Sequence, residues 1–354
     1  MSSVLFEAWR GRYADSPRAI SEALLRTHPD LTQWWTTTDG RAPRPDVRGV
    51  RRHRAGYFAR LLASDFLVTN DIVSRHVVKG PRVTYVQCWH GTPLKAVGHD
   101  EVDSKYPGAA AHLRRVDRDV AKWDVLVSPS AECTRILRGA FRYDGTVVES
   151  GYPRNDVLSQ DDGSIRRRVR AELGIQDGTT AVLYAPTWRD DTRDTAGRLV
   201  QPDLVDLDVL RHRLPGTVLL SRLHPNVPTS AAPLPGFTID VRSHPDVAEL
   251  YLAADVLVSD YSSAIYDFAV TGKPIVLHAP DLEHYRRDLR PMYFEYEQWA
   301  PGPITTTSED LADALADLAG VVRSSADRYR WFTETFCPHE DGHAGDRVVR
   351  AVFG

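Results

Sequence analysis

The sequence predicts an α/β protein made of two Rossmann-like domains, each built on a parallel sheet, facing a central cleft. Three observations predict it. Strand-like and helix-like segments alternate along the chain. At 354 residues the chain is long for one hydrophobic core and comfortable for two. A polar, glycine-containing stretch, SQDDGS at Ser159–Ser164, falls near the middle and is followed by the helical run RRRVRAELG. The expected division is 1–160 for the first domain and 161–335 for the second. Residues 336–354 read as a C-terminal helix that packs back on the first.

In the first domain, DFLVTND (Asp65–Asp71), VTYVQCW (Val83–Trp89) and DVLVSPS (Asp124–Ser130) read as strands. In each, β-branched and aromatic residues run between polar breaks. Ala131–Arg138 reads as a helix and TVVESG (Thr146–Gly151) as the next strand. The second domain repeats the alternation, with strands at Ala181–Ala185, Val218–Leu223, Val256–Ser259 and Pro274–His278. Helices are expected at Asp246–Ala254 and Ser262–Thr271.

Composition narrows the function classes. Hydrophobic residues at 42% and charged residues at 26% are ordinary globular values. No run approaches the roughly 18 apolar residues of a membrane span. The N-terminal MSSVLFEAWRGRYADSP is too polar for a signal peptide. Cys88, Cys133 and Cys337 lie far apart with no CxxC spacing. That argues against a disulfide framework or a zinc site, and for a reducing compartment.

Charge is uneven. Residues 1–160 hold 24 Lys+Arg against 18 Asp+Glu, whereas 161–354 hold 20 against 30. Arg41, Arg44, Arg48, Arg51, Arg52 and Arg54 cluster in the first half, as do Arg114, Arg115 and Arg118. Either these form a solvated surface, or they meet an anionic lipid surface or a phosphate-bearing acceptor. If the arginines only solvate a loop, Trp34 and Trp35 are the apolar residues left for membrane contact. Nucleic acid fits poorly, with no aromatic interleaving and a pI near 6.4.

The segment YVQCWHGTPLKAVG, Tyr85–Gly98, puts a histidine where chemistry happens. His90 follows the strand Val83–Cys88, and ligands in open α/β sheets bind beyond the carboxyl ends of strands. Gly91 allows a turn, and Thr92-Pro93 reads as a helix start with proline in the first turn. The alternative is a loop histidine that caps this helix. A second candidate site follows the strand Val256–Ser259, where Asp260-Tyr261 leads into Ser262-Ser263 at a helix start. Backbone N–H groups there favour phosphate oxygens, and Asp267 lies in the second helical turn within reach of a hydroxyl. The alternative makes Ser262 an ordinary N-cap and Asp267 a surface acid. Two further strand ends carry cations: Pro186-Thr187-Trp188-Arg189, and Ser221-Arg222-Leu223-His224-Pro225. Arg189 and Arg222 suit phosphate, or serve as surface salt-bridge partners.

ESGYPRND (Glu149–Asp156), VLYAPTWRD (Val182–Asp190), LLSRLHP (Leu219–Pro225) and SDYSSAIYDFAVTGKPIV (Ser259–Val276) occur in that order after WHGTPLK. Together they resemble the CDP-glycerol glycerophosphotransferase family, which includes teichoic-acid primases and polymerases. FEAWRGRYADSPRAI (Phe6–Ile20) and DGHAGDR (Asp341–Arg347) extend the likeness over nearly the whole chain. The resemblance implies a glycosyltransferase-B-type fold. It also implies transfer of glycerol phosphate from CDP-glycerol to an acceptor hydroxyl, with CMP released. His90 would be general base and His224 would act at the phosphoryl oxygens. Trp89, Gly91, Thr92, Pro93, Arg154, Pro186, Thr187, Arg189, Arg222, Ser262, Ser263 and Asp267 would line the donor site, with Arg154 at a hinge. No cofactor or metal is implied, since Asp161-Asp162 and Asp190-Asp191 sit in polar loops. The acceptor would be lipid-linked or a glycerol phosphate chain, with the enzyme peripheral at the inner membrane face in the cytoplasm. CDP-ribitol, a nucleotide-sugar donor, or a non-catalytic binding homologue are the alternatives.

Overall fold

The computed structural model describes residues 2–73, 78–101, 109–189, 191–198, 200–223 and 233–354. The chain divides into two compact units. The first comprises Met1–Thr92, Val97–Gln160 and Phe336–Gly354, the second Pro93–Ala96 and Asp161–Thr335.

The first unit holds seven strands: β1 (Ser3–Glu7), β2 (Thr32–Thr37), β3 (Arg48–Arg51), β4 (Phe66–Thr69), β5 (Thr84–Gln87), β6 (Val125–Ser128) and β7 (Thr146–Glu149). Their order is β3-β2-β1-β4-β5-β6-β7, and every pairing is parallel. Both faces are covered, which is why the strands read as continuous apolar runs. Val4, Phe6, Val68, Val86 and Val127 pack on one face against Ile20, Leu24, Val348 and Val349. Leu5, Leu67, Tyr85 and Leu126 pack on the other against Tyr57, Leu61, Leu137 and Phe141. Each such fully buried side chain contributes about 1.5–3 kcal/mol. The C-terminal helix Ala344–Val352 supplies Val348 and Val349, and Asp156 caps it by accepting the Ala344 and Gly345 N–H groups at 2.8 Å each.

The sequence reading does not single out β1–β3. Part of the reason lies in β3: its Arg48 and Arg51 are exposed on an edge strand, and only Val50 is buried. The arginine cluster around it is correspondingly heterogeneous. Arg52 is tied to buried Glu7 at 2.7 Å, and Arg44 pairs with Asp46. Arg48 and Arg60 lie over the Trp34 ring at 5.3 and 4.3 Å. Trp35 is fully buried on Phe6, so it is core and not a surface anchor.

The second unit holds β8 (Thr180–Tyr184), β9 (Thr217–Ser221), β10 (Thr238–Asp240), β11 (Val256–Ser259), β12 (Ile275–His278) and β13 (Ile304–Thr305). Their order is β10-β9-β8-β11-β12-β13, again all parallel. Val182, Tyr184, Val256, Val258 and Val276 pack against Leu210, Leu311 and Leu315. The α/β class of two parallel sheets expected from the sequence is what the chain forms. In both sheets the strand order reverses once, between β1 and β4 and between β8 and β11. Such a reversal leaves a crevice beyond the carboxyl ends of the two strands.

Candidate active site

In the first unit, His90 stands three residues beyond β5, next to the crevice between β1 and β4. Trp89 takes a φ of 50°, its N–H bonds Gln87 Oε1 at 2.9 Å, and its ring packs on Phe141. That turn presents the half-buried His90 ring, stacked on Trp89 at 4.1 Å. His90 Nδ1 lies 2.8 Å from the Asn70 carbonyl, which only accepts, so Nδ1 carries the proton and Nε2 keeps its lone pair. Removal of the ring from water is the largest influence on its pKa and lowers it. Arg154 lowers it further, while the Asn70 carbonyl, Asp71 and Asp15 oppose. The imidazole is therefore neutral at physiological pH, as a general base requires.

Asn70, Trp9 and Asp15 surround His90 without having been candidates from the sequence. Asn70 is fully buried, and its Oδ1 accepts the Trp9 N–H at 3.1 Å while its carbonyl holds His90. Asp15 Oδ2 accepts the Trp9 indole N–H at 3.0 Å, and the Trp9 ring lies 5.2 Å from the His90 ring. Arg154, expected to face donor phosphate, instead has its Nη1 3.4 Å from Asp15 and its guanidinium over the Tyr152 ring at 4.1 Å. Gly151 just before it has a φ of 86°, and a Cβ there would meet the His339 carbonyl at 2.6 Å, so only glycine fits this turn. The buried thiols are not nucleophiles, since burial pushes Cys133 up to about 12 and Cys88 well above its ordinary value.

Gly91, Thr92 and Pro93 are buried, but the helix expected to start there does not form. The backbone is satisfied differently: Lys95 bridges antiparallel to Met292, Ala96 N–H bonds the Pro291 carbonyl, and Tyr293 N–H bonds the Leu94 carbonyl. His90 is thus no helix cap.

In the second unit, the loops after β8 and β11 meet where the strand order reverses. Asp260, fully buried, accepts the N–H groups of Thr187 (2.8 Å) and Tyr261 (2.6 Å) through Oδ1. Arg189 contacts its Oδ2 at 3.0 Å and bonds Asp281 through Nε (2.7 Å) and Nη2 (2.9 Å). Tyr261 donates to Asp281 at 3.0 Å and Tyr296 to the Asp260 carbonyl at 2.8 Å. Burial opposes both charges, yet the pairing prevails: Arg189 sits above its ordinary pKa and Asp281 below. Arg189 is 2% exposed with its fork occupied by carboxylates, so the structure makes it a brace between loops and not an accessible phosphate ligand.

Arg222 is likewise placed on backbone, its Nη1 bonding the carbonyls of Val241 and His244 at 2.7 Å each. His224 lies outside the described residues. Pro186 is buried, and Thr187 Oγ1 is buried with no hydrogen-bond partner among the described residues. Ser262 and Ser263 are half-buried; Ser262 Oγ accepts the Ala264 N–H at 3.2 Å, while Ser263 holds the cap position without a side-chain cap bond, so Ser262 is not an ordinary N-cap. The helix runs Ala264–Ala269, shorter than expected because only single-turn bonds continue it to Gly272. Asp267 is 7% exposed and so is not a surface acid. A cavity of about 120 Å³ that the sequence reading missed lies beside this edge, lined by Tyr184, Gln201, Ser221, Thr238 and Arg242 among others. Among the described residues no group of three or more His, Cys, Asp or Glu is placed to hold a metal ion.

The chain matches the family described as CDP-glycerol:poly(glycerophosphate) glycerophosphotransferase over residues 1–354. It is 33% identical over 361 residues to the teichoic acid poly(glycerol phosphate) polymerase of Bacillus subtilis (strain 168), covering 99% of this chain but 48% of that protein. It is also 33% identical over 360 residues to the teichoic acid glycerol-phosphate transferase of Staphylococcus aureus (strain NCTC 8325 / PS 47), covering 99% and 92%. A single-residue variant of the wall teichoic acid polymerase TagF superposes with a TM-score of 0.91 at 32% identity, covering 99% of this chain and 88% of that one, and so does a second TagF variant soaked with CDPG. A UDP-GlcNAc 2-epimerase from Neisseria meningitidis shares the fold alone, at 13% identity and a TM-score of 0.58 with both chains fully covered.

Proposed function

Because the chain belongs to the CDP-glycerol:poly(glycerophosphate) glycerophosphotransferase family, we propose that it transfers glycerol phosphate from CDP-glycerol to an acceptor hydroxyl and releases CMP, in teichoic-acid synthesis. The observation that carries this reading is His90, a neutral imidazole whose Nδ1–H is committed to the Asn70 carbonyl and whose Nε2 is left to accept a proton. The acceptor O–H gives its proton to Nε2 as its oxygen attacks the glycerol-bearing phosphorus. The bond from that phosphorus to the CMP oxygen breaks in line, and CMP leaves with the electron pair. Such transfers depend on positioning and charge stabilisation more than on covalent chemistry.

The donor phosphates belong at the carboxyl edge of the second sheet, with Thr187 Oγ1, Ser262 and Ser263 as donors. Gly91, Thr92, Pro93, Pro186 and Trp89 shape the backbone around the two edges. Arg189, Asp260 and Asp281 act on the donor indirectly, by fixing the loops that carry those hydroxyls. Asp267 supports the same helix from inside. The cavity beside Tyr184 and Ser221 offers walls for the nucleoside. His224, three positions after the last residue of β9 in the sequence, would balance charge on the phosphates.

No helix among the described residues is long and apolar enough to cross a membrane. A lipid-linked acceptor would therefore be met peripherally at the cytoplasmic face. Exposed Arg51 and Arg54, with Phe58 and Leu62 exposed one turn apart on the helix Ala55–Ala63, support that contact. Arg52 is excluded from it by its bond to Glu7.

The test is product analysis. Incubated with CDP-glycerol and a lipid-linked acceptor ending in glycerol phosphate, the protein should release CMP and lengthen the acceptor by glycerol phosphate units in mass spectrometry. Turnover of CDP-ribitol or a UDP-sugar in place of CDP-glycerol, or no CMP release with any donor, would overturn the reading.

A further inference from the structure

The segment after β1, part of FEAWRGRYADSPRAI, has no role in the reaction as derived so far. Trp9 and Arg10 adopt φ of 45° and 61°, and Asp15 adopts 61°. Bulky residues rarely enter this left-handed region, and such strain persists where the surroundings over-determine it, often at functional sites. Here the determinants are visible. The Trp9 backbone N–H is held by Asn70 Oδ1, and its indole N–H by Asp15 Oδ2. Asp15 is itself fixed by the Ser16 N–H at 2.6 Å and by Arg154.

All this anchoring does not bury the ring. Trp9 is 39% exposed, while Trp35, Trp89, Trp123 and Trp299 are buried. A tryptophan serving the core would be covered, and one in an idle loop would not need both of its N–H groups bonded. The ring stands 5.2 Å from the His90 ring, tilted by 53°. Arg10, next in the chain, has a side chain 73% exposed and, among the described residues, a single loose 3.7 Å contact to Asp71.

We propose that Trp9 is the acceptor platform: its indole face receives the carbon chain of a polyol whose hydroxyl is deprotonated by His90, and Arg10 pairs with a phosphate on that same acceptor. The polyol C–H groups, polarised by their oxygens, meet the negative face of the indole and lose water. The guanidinium recognises the phosphate by charge-assisted hydrogen bonds. The acceptor class is thus a phosphate-bearing polyol. The inference rests on the transfer reading for the role of His90, but not on the identity of the donor.

Two measurements separate the inference from that reading. Direct titration of a short glycerol phosphate oligomer, without donor, should bind about 3–10-fold more weakly to Trp9→Ala than to wild type, the range of one aromatic contact. Trp9→Phe should retain most of the affinity. In turnover, the oligomer KM should rise by a similar factor in Trp9→Ala, with CDP-glycerol affinity in calorimetry unchanged. Arg10→Ala should raise KM for the oligomer but not for uncharged glycerol as acceptor. Wild-type oligomer affinity in Trp9→Ala would overturn the platform, whether or not CDP-glycerol is a substrate. A fall in kcat with a shifted acid limb and constant oligomer KM would also overturn it, making Trp9 a support for His90. If wild type binds the oligomer but turns over no CDP-glycerol, the transfer reading fails while the platform stands.

Discussion

The two sheets share a strand order and its reversal point, yet their carboxyl edges are built on opposite principles. Beyond β1, β4 and β5, the first edge has His90 neutral with one nitrogen uncommitted among the described residues, and an exposed tryptophan beside it. Beyond β8, β11 and β12, the second buries an arginine between two aspartates and two tyrosines. The first spends its hydrogen bonds on orienting a reactive group, the second on locking loops that present hydroxyls. A proton acceptor must respond to its substrate, whereas a phosphate cradle gains from rigidity, since preorganised donors need no reorganisation when charge arrives.

Removing the proposed base should give the largest effect. His90→Ala should lower turnover by roughly 10²–10⁴-fold, the usual range for acid–base catalysis, with CDP-glycerol affinity kept. Wild-type-like CMP release would erase the distinction between the edges. Breaking the second edge should act on stability first. Arg189→Ala leaves Asp260 buried without its cation, a change that costs about 3–5 kcal/mol, visible as a large fall in melting temperature. An unchanged melting temperature would show that the network does not brace the loops.

Smaller effects sharpen the comparison. Ser262→Ala with Ser263→Ala should weaken CDP-glycerol binding about 30-fold in calorimetry, from two lost hydroxyl contacts of about 1 kcal/mol each. Unaltered affinity would move the phosphates elsewhere. The smallest is at the membrane, where exposed basic residues contribute about 1 kcal/mol each and salt screens them. Arg51→Glu with Arg54→Glu should reduce binding to anionic vesicles and its salt dependence. Salt-insensitive binding that survives both changes would assign the contact to Phe58 and Leu62 alone.

What was legible in the sequence follows the same divide. His90 at the end of a strand, and Asp260 through Ser263 at the end of another, announce themselves because apolar runs stop abruptly at polar residues. Asn70 and Asp15 do not, since their importance lies in contacts to residues 20 and 6 positions away. Arg189 and Arg222 look like phosphate ligands in one dimension, and only packing reveals the carboxylates and carbonyls that occupy them. The helix expected at Thr92 lost to a bridge with Met292, nearly 200 residues on, which no local propensity encodes. β3 is hidden because an edge strand with exposed arginines carries a weak alternation signal.

The neutrality of His90 is tested most directly by the pH dependence of kcat/KM. Burial lowers its pKa, so the neutral form persists below the ordinary histidine value of ~6.5, and activity should be lost only as pH falls through a lower value. That acid limb should vanish from the residual rate of His90→Ala. A limb at or above ~6.5 in the wild type, or the same limb persisting in His90→Ala, would contradict the assignment of His90 as a neutral general base.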